Sequence, residues 1–320
     1  MSTERTPLPI SFFSMAVGTL AWGQSWQAAA LVWPLPAWLV ALASALGLVL
    51  WLLLLLAYAR KSLTQAEAVR EDFKHPVQSS MTALLPVSTM LAALTLKPWL
   101  PELARGLLLV ALLAQLLLGL WLTGRFWQGG KAPESINASV YLPSVAQNFV
   151  AATACASFGW FTLAGLLFGA GVFSWLALES MVMDRAAKLA YLEPAQRPLR
   201  GIQLAPPVVC GLSYLALTSG APDLLALMLF GYGLYQAMLV VRLLPWTLQA
   251  AFAPSYWAFS FGVMALATMG LSLWARAPDE RLWQLLAPVL FGVANLVFAM
   301  LAWQTARLGF QGRLLSHLSK

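Results

Sequence analysis

Ten apolar stretches separated by short polar connections fill the chain, at about residues 10–26, 35–59, 77–96, 106–124, 137–157, 160–183, 203–218, 222–248, 255–275 and 282–306. The run from Leu35 to Ala59 holds 25 residues, eleven of them leucine and none charged. That is long enough to cross the roughly 30 Å hydrocarbon core of a bilayer as a helix. The pattern predicts an all-α integral membrane protein with ten transmembrane helices. Residues 1–320 then form a single transmembrane domain, with short tails at about 1–9 and 308–320.

The stretches alternate in kind. Every odd one lacks Asp, Glu, Lys and Arg yet carries Ser, Thr, Gly or Pro; the third has six hydroxyl residues in 20, whereas the second has one in 25. A proline inside a membrane helix frees a backbone carbonyl, which then needs a neighbour, a hydroxyl or water. The odd helices are therefore expected to face inward and the even ones lipid. Prolines recur in ALLPVSTM, VYLPSVAQN and QLAPPVVCG, as Pro86, Pro143 and Pro206, at intervals of 57 and 63 residues. One step of 56 residues onward lands on Gly262, and one step of 70 residues back lands on Ala16, beside Gly18. Five copies of a helical hairpin of about 60 residues account for the chain. Five inner helices around one axis leave a central hole, with Gly18, Pro86, Pro143, Pro206 and Gly262 as inner-helix kinks lining it.

Charge adds an orientation. With ten spans, fifteen of the 19 Lys and Arg residues fall on the side of the termini, and only Lys97, Arg105, Arg276 and Arg281 on the other. Positive-inside topology then puts both termini in the cytoplasm. It also accounts for the net charge of +7 without any nucleic-acid partner. The first span lacks a basic leader and is expected to be retained. Trp22, Trp26, Trp33, Trp38, Trp99, Trp127 and Trp246 lie near span ends and read as interfacial anchors.

Candidate chemistry is sparse. Cys155 and Cys210 fall within spans and read as small buried hydrophobes, with no disulfide framework or CxxC signal. His75 and His317 lie outside the spans and read as solvated. No nucleophile with its base, phosphate loop or metal cluster assembles, so neither an enzyme nor a cofactor is expected. Ion-coupled carriers usually hold ionisable groups inside the membrane, and the odd spans have none. A neutral pore still favours anions, through helix N-terminal amides, hydroxyl donors and basic residues at the mouth. Binding without a fixed charge is weak, which implies fast passage and poor discrimination among small anions. Phe261 stands directly before Gly262, where the other repeats have Leu85, Leu142 and Ala205. A single phenyl ring at that site is a candidate gate, because apolar constrictions close by dewetting. Phe13, near the first kink, is a weaker candidate pore-lining ring.

The segments TPLPISFFSMAVGTLAW, DFKHPVQSSMTALLPVSTML, FWQGG, SVYLPSVAQNF, FGAGVFSW, LAPPVVCGLSYLAL, RLLPW and WAFSFG follow one another in order from about residue 7 to 308. In that collinear order the chain resembles the family of bacterial tellurite-resistance (TehA) proteins, plant slow guard-cell anion channels and yeast malate carriers. The resemblance implies a homotrimer of ten-helix protomers in a bacterial inner membrane. Each protomer would have its own pore on a quasi-five-fold axis, passing anions such as chloride or nitrate. It also implies that Phe261, the second phenylalanine of WAFSFG, closes the pore, and that the kinks fall at Pro86, Pro143, Pro206 and Gly262. Ala16 departs from the family's proline, leaving the first kink to Gly18. The expected partners are small inorganic anions and the lipid bilayer. The competing expectation is a proton-gradient-dependent carrier of tellurite-like oxyanions or C4-dicarboxylates.

Overall fold

The computed structural model describes residues 8–130, 132–189 and 192–314, apart from the Glu134 side chain. Arg5, Lys131, His317, Lys320 and most of the two expected tails lie outside these residues. The described residues form twelve α-helices and no strand: α1 (Phe13–Ala29), α2 (Ala37–Thr64), α3 (Ala66–Lys74), α4 (Gln78–Met81), α5 (Leu84–Leu96), α6 (Pro101–Trp127), α7 (Gln147–Ser157), α8 (Phe161–Lys188), α9 (Ala205–Leu217), α10 (Leu224–Thr247), α11 (Ala258–Arg276) and α12 (Arg281–Phe310).

Among the described residues, seven helical segments are long and apolar enough to cross a membrane: α2, Gln78–Leu96, α6, α8, α10, Pro254–Arg276 and α12. The other three expected spans hold α-helices of only 17, 11 and 13 residues, namely α1, α7 and α9. Their remaining length is wound differently. A 3-10 turn, Ile10–Phe12, precedes α1; a 3-10 turn, Ala138–Tyr141, and a π turn, Leu142–Ala146, precede α7; a 3-10 segment, Pro194–Leu204, precedes α9. The same device leads into α11 through Pro254–Trp257, and α4 with a two-residue turn leads into α5.

Proline chemistry explains three of these lead-ins. Pro86 cannot donate to Thr82, whose carbonyl instead accepts from the Leu85 amide at 3.2 Å. Pro143 sits in the π turn, and the Ser139 carbonyl accepts from the Leu142 amide. Pro206 and Pro207 open α9, where first-turn amides have no intrahelical partner to lose. The sequence pattern predicts proline-kinked helices; in the structure the winding changes at or just before each proline.

Two environments separate the helices as the alternation of hydroxyls predicts. The most apolar stretches of α2, α6, α8, α10 and α12 are only 17–28 % buried, against 83 % for Gln78–Leu96 and 56 % for Pro254–Arg276. Leu46, Leu53, Leu117, Phe173, Met228 and Leu296 stand exposed on the outer helices, a surface that suits lipid and not water. Each inner helix packs on the outer helix that follows it. The inner helices also touch in turn, α1 on α5, α5 on α7, α7 on α9, α9 on α11, and α11 back on α1.

Side chains fasten this ring at both ends. At one end, Lys97 after α5 donates to the Ser157 carbonyl that ends α7. Arg276, at the end of α11, donates to the Leu215 and Thr218 carbonyls that end α9. Cations on helix C-terminal carbonyls satisfy orphan acceptors and complement the dipole. At the other end, α3 folds back on α2 and buries an ion pair, Lys61 to Asp72 at 2.6 Å. Lys61 also donates to the Leu8 carbonyl at 2.8 Å, and the Tyr58 hydroxyl donates to Asp72 at 3.1 Å. The clamp fixes the chain where it enters the bundle.

Candidate functional site

The five lead-in segments converge on one cavity of about 360 Å³. Polarity falls along four of them in the same direction, and the fifth, residues 138–146, contributes Tyr141, Leu142, Val145 and Ala146. Ser11 and Ser14 come before Val17; His75 and Gln78 before Met81, Leu84 and Val87; Gln196 before Leu199, Ile202 and Val209; Ser255 before Trp257, Ala258 and Phe261. The cavity therefore passes from a fringe of hydroxyl, amide and imidazole groups to an apolar floor. Among the described residues, no Asp, Glu, Lys or Arg lines it. Its fringe adjoins the connections that carry most of the basic residues, so an anion arriving there meets a favourable potential and then a wall without a counter-charge.

His75 is exposed, and its Nδ1 accepts from the amides of Val77 and Gln78, both at 3.2 Å. This assigns Nδ1 as the unprotonated nitrogen and holds the ring at the start of α4. Reading His75 as solvated therefore leaves out its place in the cavity lining.

Phe261 lines the apolar part, in the first turn of α11, and packs against the small cluster of Ala21, Met264, Ala267 and Ala294. Leu142 and Ala205, at the corresponding positions of two other repeats, line the same cavity. A leucine, an alanine and a phenyl ring thus converge there, and the ring is the largest of the three.

Of the predicted kink residues, Pro206 lines the cavity; Gly18, Pro86, Pro143 and Gly262 stand behind its wall. Helices α1 and α11 run as α-helix through Gly18 and Gly262, and the change in winding falls before them. Both glycines serve close approach. A Cβ on Gly18 would lie 2.1 Å from Ser260 Oγ, and one on Gly262 would lie 2.9 Å from Leu204 Cβ. Gly18 therefore joins α1 to α11, and Gly262 joins α11 to the start of α9. Gly18→Ala is expected to cost about 1–3 kcal/mol through overpacking. Ser260→Gly in the same chain should recover part of it. An unfolding midpoint unchanged by Gly18→Ala, followed in detergent, would remove the glycine from this packing role. Phe13 is fully buried and meets the Tyr58 ring edge-on at 5.9 Å, while its neighbours Ser14 and Val17 line the cavity.

One acidic residue of the spans escapes the reading of the odd helices because it belongs to an even one. Glu179 of α8 accepts from the Tyr141 hydroxyl at 2.7 Å and from the Trp175 indole at 3.0 Å. Tyr141 is almost wholly buried and its ring lines the cavity. Its hydroxyl is thus committed to a carboxylate on the outer layer, and the ring presents carbon to the cavity. The one signal in the sequence was a tyrosine beside the proline of the third repeat, with nothing to mark its partner.

These features define a polytopic helical membrane protein with a cavity that has no charged lining among the described residues, is polar at its fringe and carries a phenyl ring in its apolar wall. Over residues 7–306 the chain matches the SLAC1 family, described as voltage-dependent anion channel, and the chain belongs to that family. It is 35% identical over 266 residues to a tellurite resistance protein TehA homolog of Haemophilus influenzae, covering 83% of this chain and 81% of the relative. The resemblance carried by the collinear motifs therefore holds. The family is one of channels and transporters, not of enzymes.

Proposed function

We propose that this protein is a channel for small monovalent anions such as chloride and nitrate, closed at rest by Phe261. The observation that carries the reading is the cavity itself, which among the described residues has no charged lining, is polar only at its fringe, and has the phenyl ring of α11 in its apolar wall. In this reading the five hairpins form ten transmembrane helices on a quasi-five-fold axis, and the pathway runs inside the ring of α1, α5, α7, α9 and α11. The short helices α1, α7 and α9 cross the membrane together with their 3-10 and π lead-ins. The basic residues around the fringe support a cytoplasmic placement of that end and of both termini, and the bacterial inner membrane rests on the family resemblance. The protomers assemble as a homotrimer, each with its own pore, a proposal that rests on family membership.

The test is the current–voltage relation of channel-open protein in asymmetric chloride, with nitrate and malate substituted in turn. A large current that does not saturate, reverses near the chloride potential and ignores pH supports the channel. The name of the relative, a tellurite resistance protein, favours a second reading as a carrier of oxyanions or C4-dicarboxylates. Saturable uptake that depends on a proton gradient, without such a current, would replace the first reading with the second.

A further inference from the structure

A second cavity lies on the outside of the molecule. Between α6 and α8 a groove of about 790 Å³ opens on the lipid-facing side. One end carries two exposed cations, Lys74 and Arg125, and the buried Ser79 and Ser80 also line the groove. Phe173, Ser174, Ala177, Leu178 and Met181 of α8 form the other part of its wall, apolar apart from the one serine. The stretch of α8 from Phe173 to Met181 is about 12 Å long at the helical rise per residue. Trp127, 85 % exposed, stands on the rim with the cations, which sets that end at the level of the headgroups.

The cationic end is built by contacts between elements. The Phe73 ring meets Trp121 of α6 edge-on at 5.5 Å, and the Arg125 guanidinium lies over the same indole at 5.0 Å. Arg125 also reaches the Phe73 carbonyl at 3.4 Å. Lys74 pairs with the exposed Glu71 at 3.2 Å, a bond between solvated side chains that contributes little and yields readily.

We propose that this groove binds one phospholipid with an anionic headgroup, drawn from the leaflet at the basic end of the protein. The phosphate sits against Lys74 and Arg125, and an acyl chain follows α8 past Met181, Ala177 and Phe173. Charge complementarity selects the headgroup, and the apolar wall selects a lipid over a free anion. Val140, Pro143 and Ser144 line the groove, whereas Tyr141, Leu142 and Val145 of the same segment line the inner cavity. A single thickness of backbone, the π turn, separates the lipid from the cavity, so an occupied groove braces the cavity wall from outside. The site stands whether or not the cavity conducts.

Native mass spectrometry of delipidated protein, titrated with phosphatidylglycerol or phosphatidylcholine, tests this. The expected result is one phosphatidylglycerol retained per protomer under conditions that strip phosphatidylcholine. Lys74→Gln and Arg125→Gln should each weaken retention roughly fivefold. Ala177→Trp, which fills the groove without touching either cation, should also lose the lipid. Leu166→Trp, on an exposed part of α8 outside the groove, should keep it. Equal retention of both lipids overturns the proposal, as does phosphatidylglycerol binding unchanged by the glutamine variants or by Ala177→Trp. If Ala177→Trp separates an oligomer and leaves lipid retention intact, the groove holds a second copy of the chain and the proposal fails.

Discussion

Replacing Phe261 by alanine is expected to raise anion conductance by roughly tenfold or more, since each 1.4 kcal/mol removed from a barrier is a factor of ten in rate. The ring sits where the cavity has already lost its polar lining. An ion there sheds water without gaining a charge or a hydroxyl in exchange, which makes a dry constriction steeply sensitive to its width. Leucine at 261 should open the path less than valine, and valine less than alanine. A series that follows side-chain size identifies the barrier as steric and dewetting in origin. Unchanged currents from well-folded Phe261→Ala protein in planar bilayers would remove the gate assignment.

The second large effect concerns folding. Asp72→Ala should destabilise the protein by about 3 kcal/mol or more, because it leaves the Lys61 charge buried without its carboxylate. The Lys61 and Asp72 side chains are only 4% and 12% exposed. The loss should appear as a lowered unfolding midpoint in detergent and as increased proteolysis around α3. Adding Lys61→Met to Asp72→Ala should recover most of it, since the uncompensated charge is then gone. By contrast, Glu67→Ala breaks a pair whose members are 70% and 72% exposed, and should cost no more than about 0.5 kcal/mol. Equal effects at Asp72 and Glu67 would show that the buried clamp contributes nothing special.

Inner and outer helices were legible from hydroxyl content, because a membrane helix shows its environment in the groups it must satisfy. The prolines located the changes of winding around Pro86, Pro143 and Pro206 but not their form, since a proline removes one hydrogen bond without choosing between a 3-10 turn, a π turn and a helix start. Gly18 and Gly262 matched the repeat spacing, yet their role is set by Ser260 and Leu204, which come from distant parts of the chain. Phe13 looked like Phe261 from its place near a kink, but helix rotation turned Ser14 and Val17 inward instead. Nothing in the pattern marks Lys61 and Asp72 as a buried pair, because burial arises only when α3 folds back on α2. The Tyr141–Glu179 bond joins residues 38 apart on an inner and an outer helix, and no periodicity marks it.

The seam between α1 and the last hairpin, α11 with α12, bears on how the molecule is made. Trp22 donates to Asn295 across 273 residues, and its ring stacks on Phe298 at 4.1 Å. At ribosomal speeds that separation is on the order of tens of seconds of synthesis. Throughout that interval the nascent first hairpin sits in the bilayer with the notch at Gly18 unfilled, and only the last hairpin to be translated closes it. Biogenesis therefore passes through an open horseshoe with one naked flank, and quality control in the membrane has a definite surface to watch until the circle shuts.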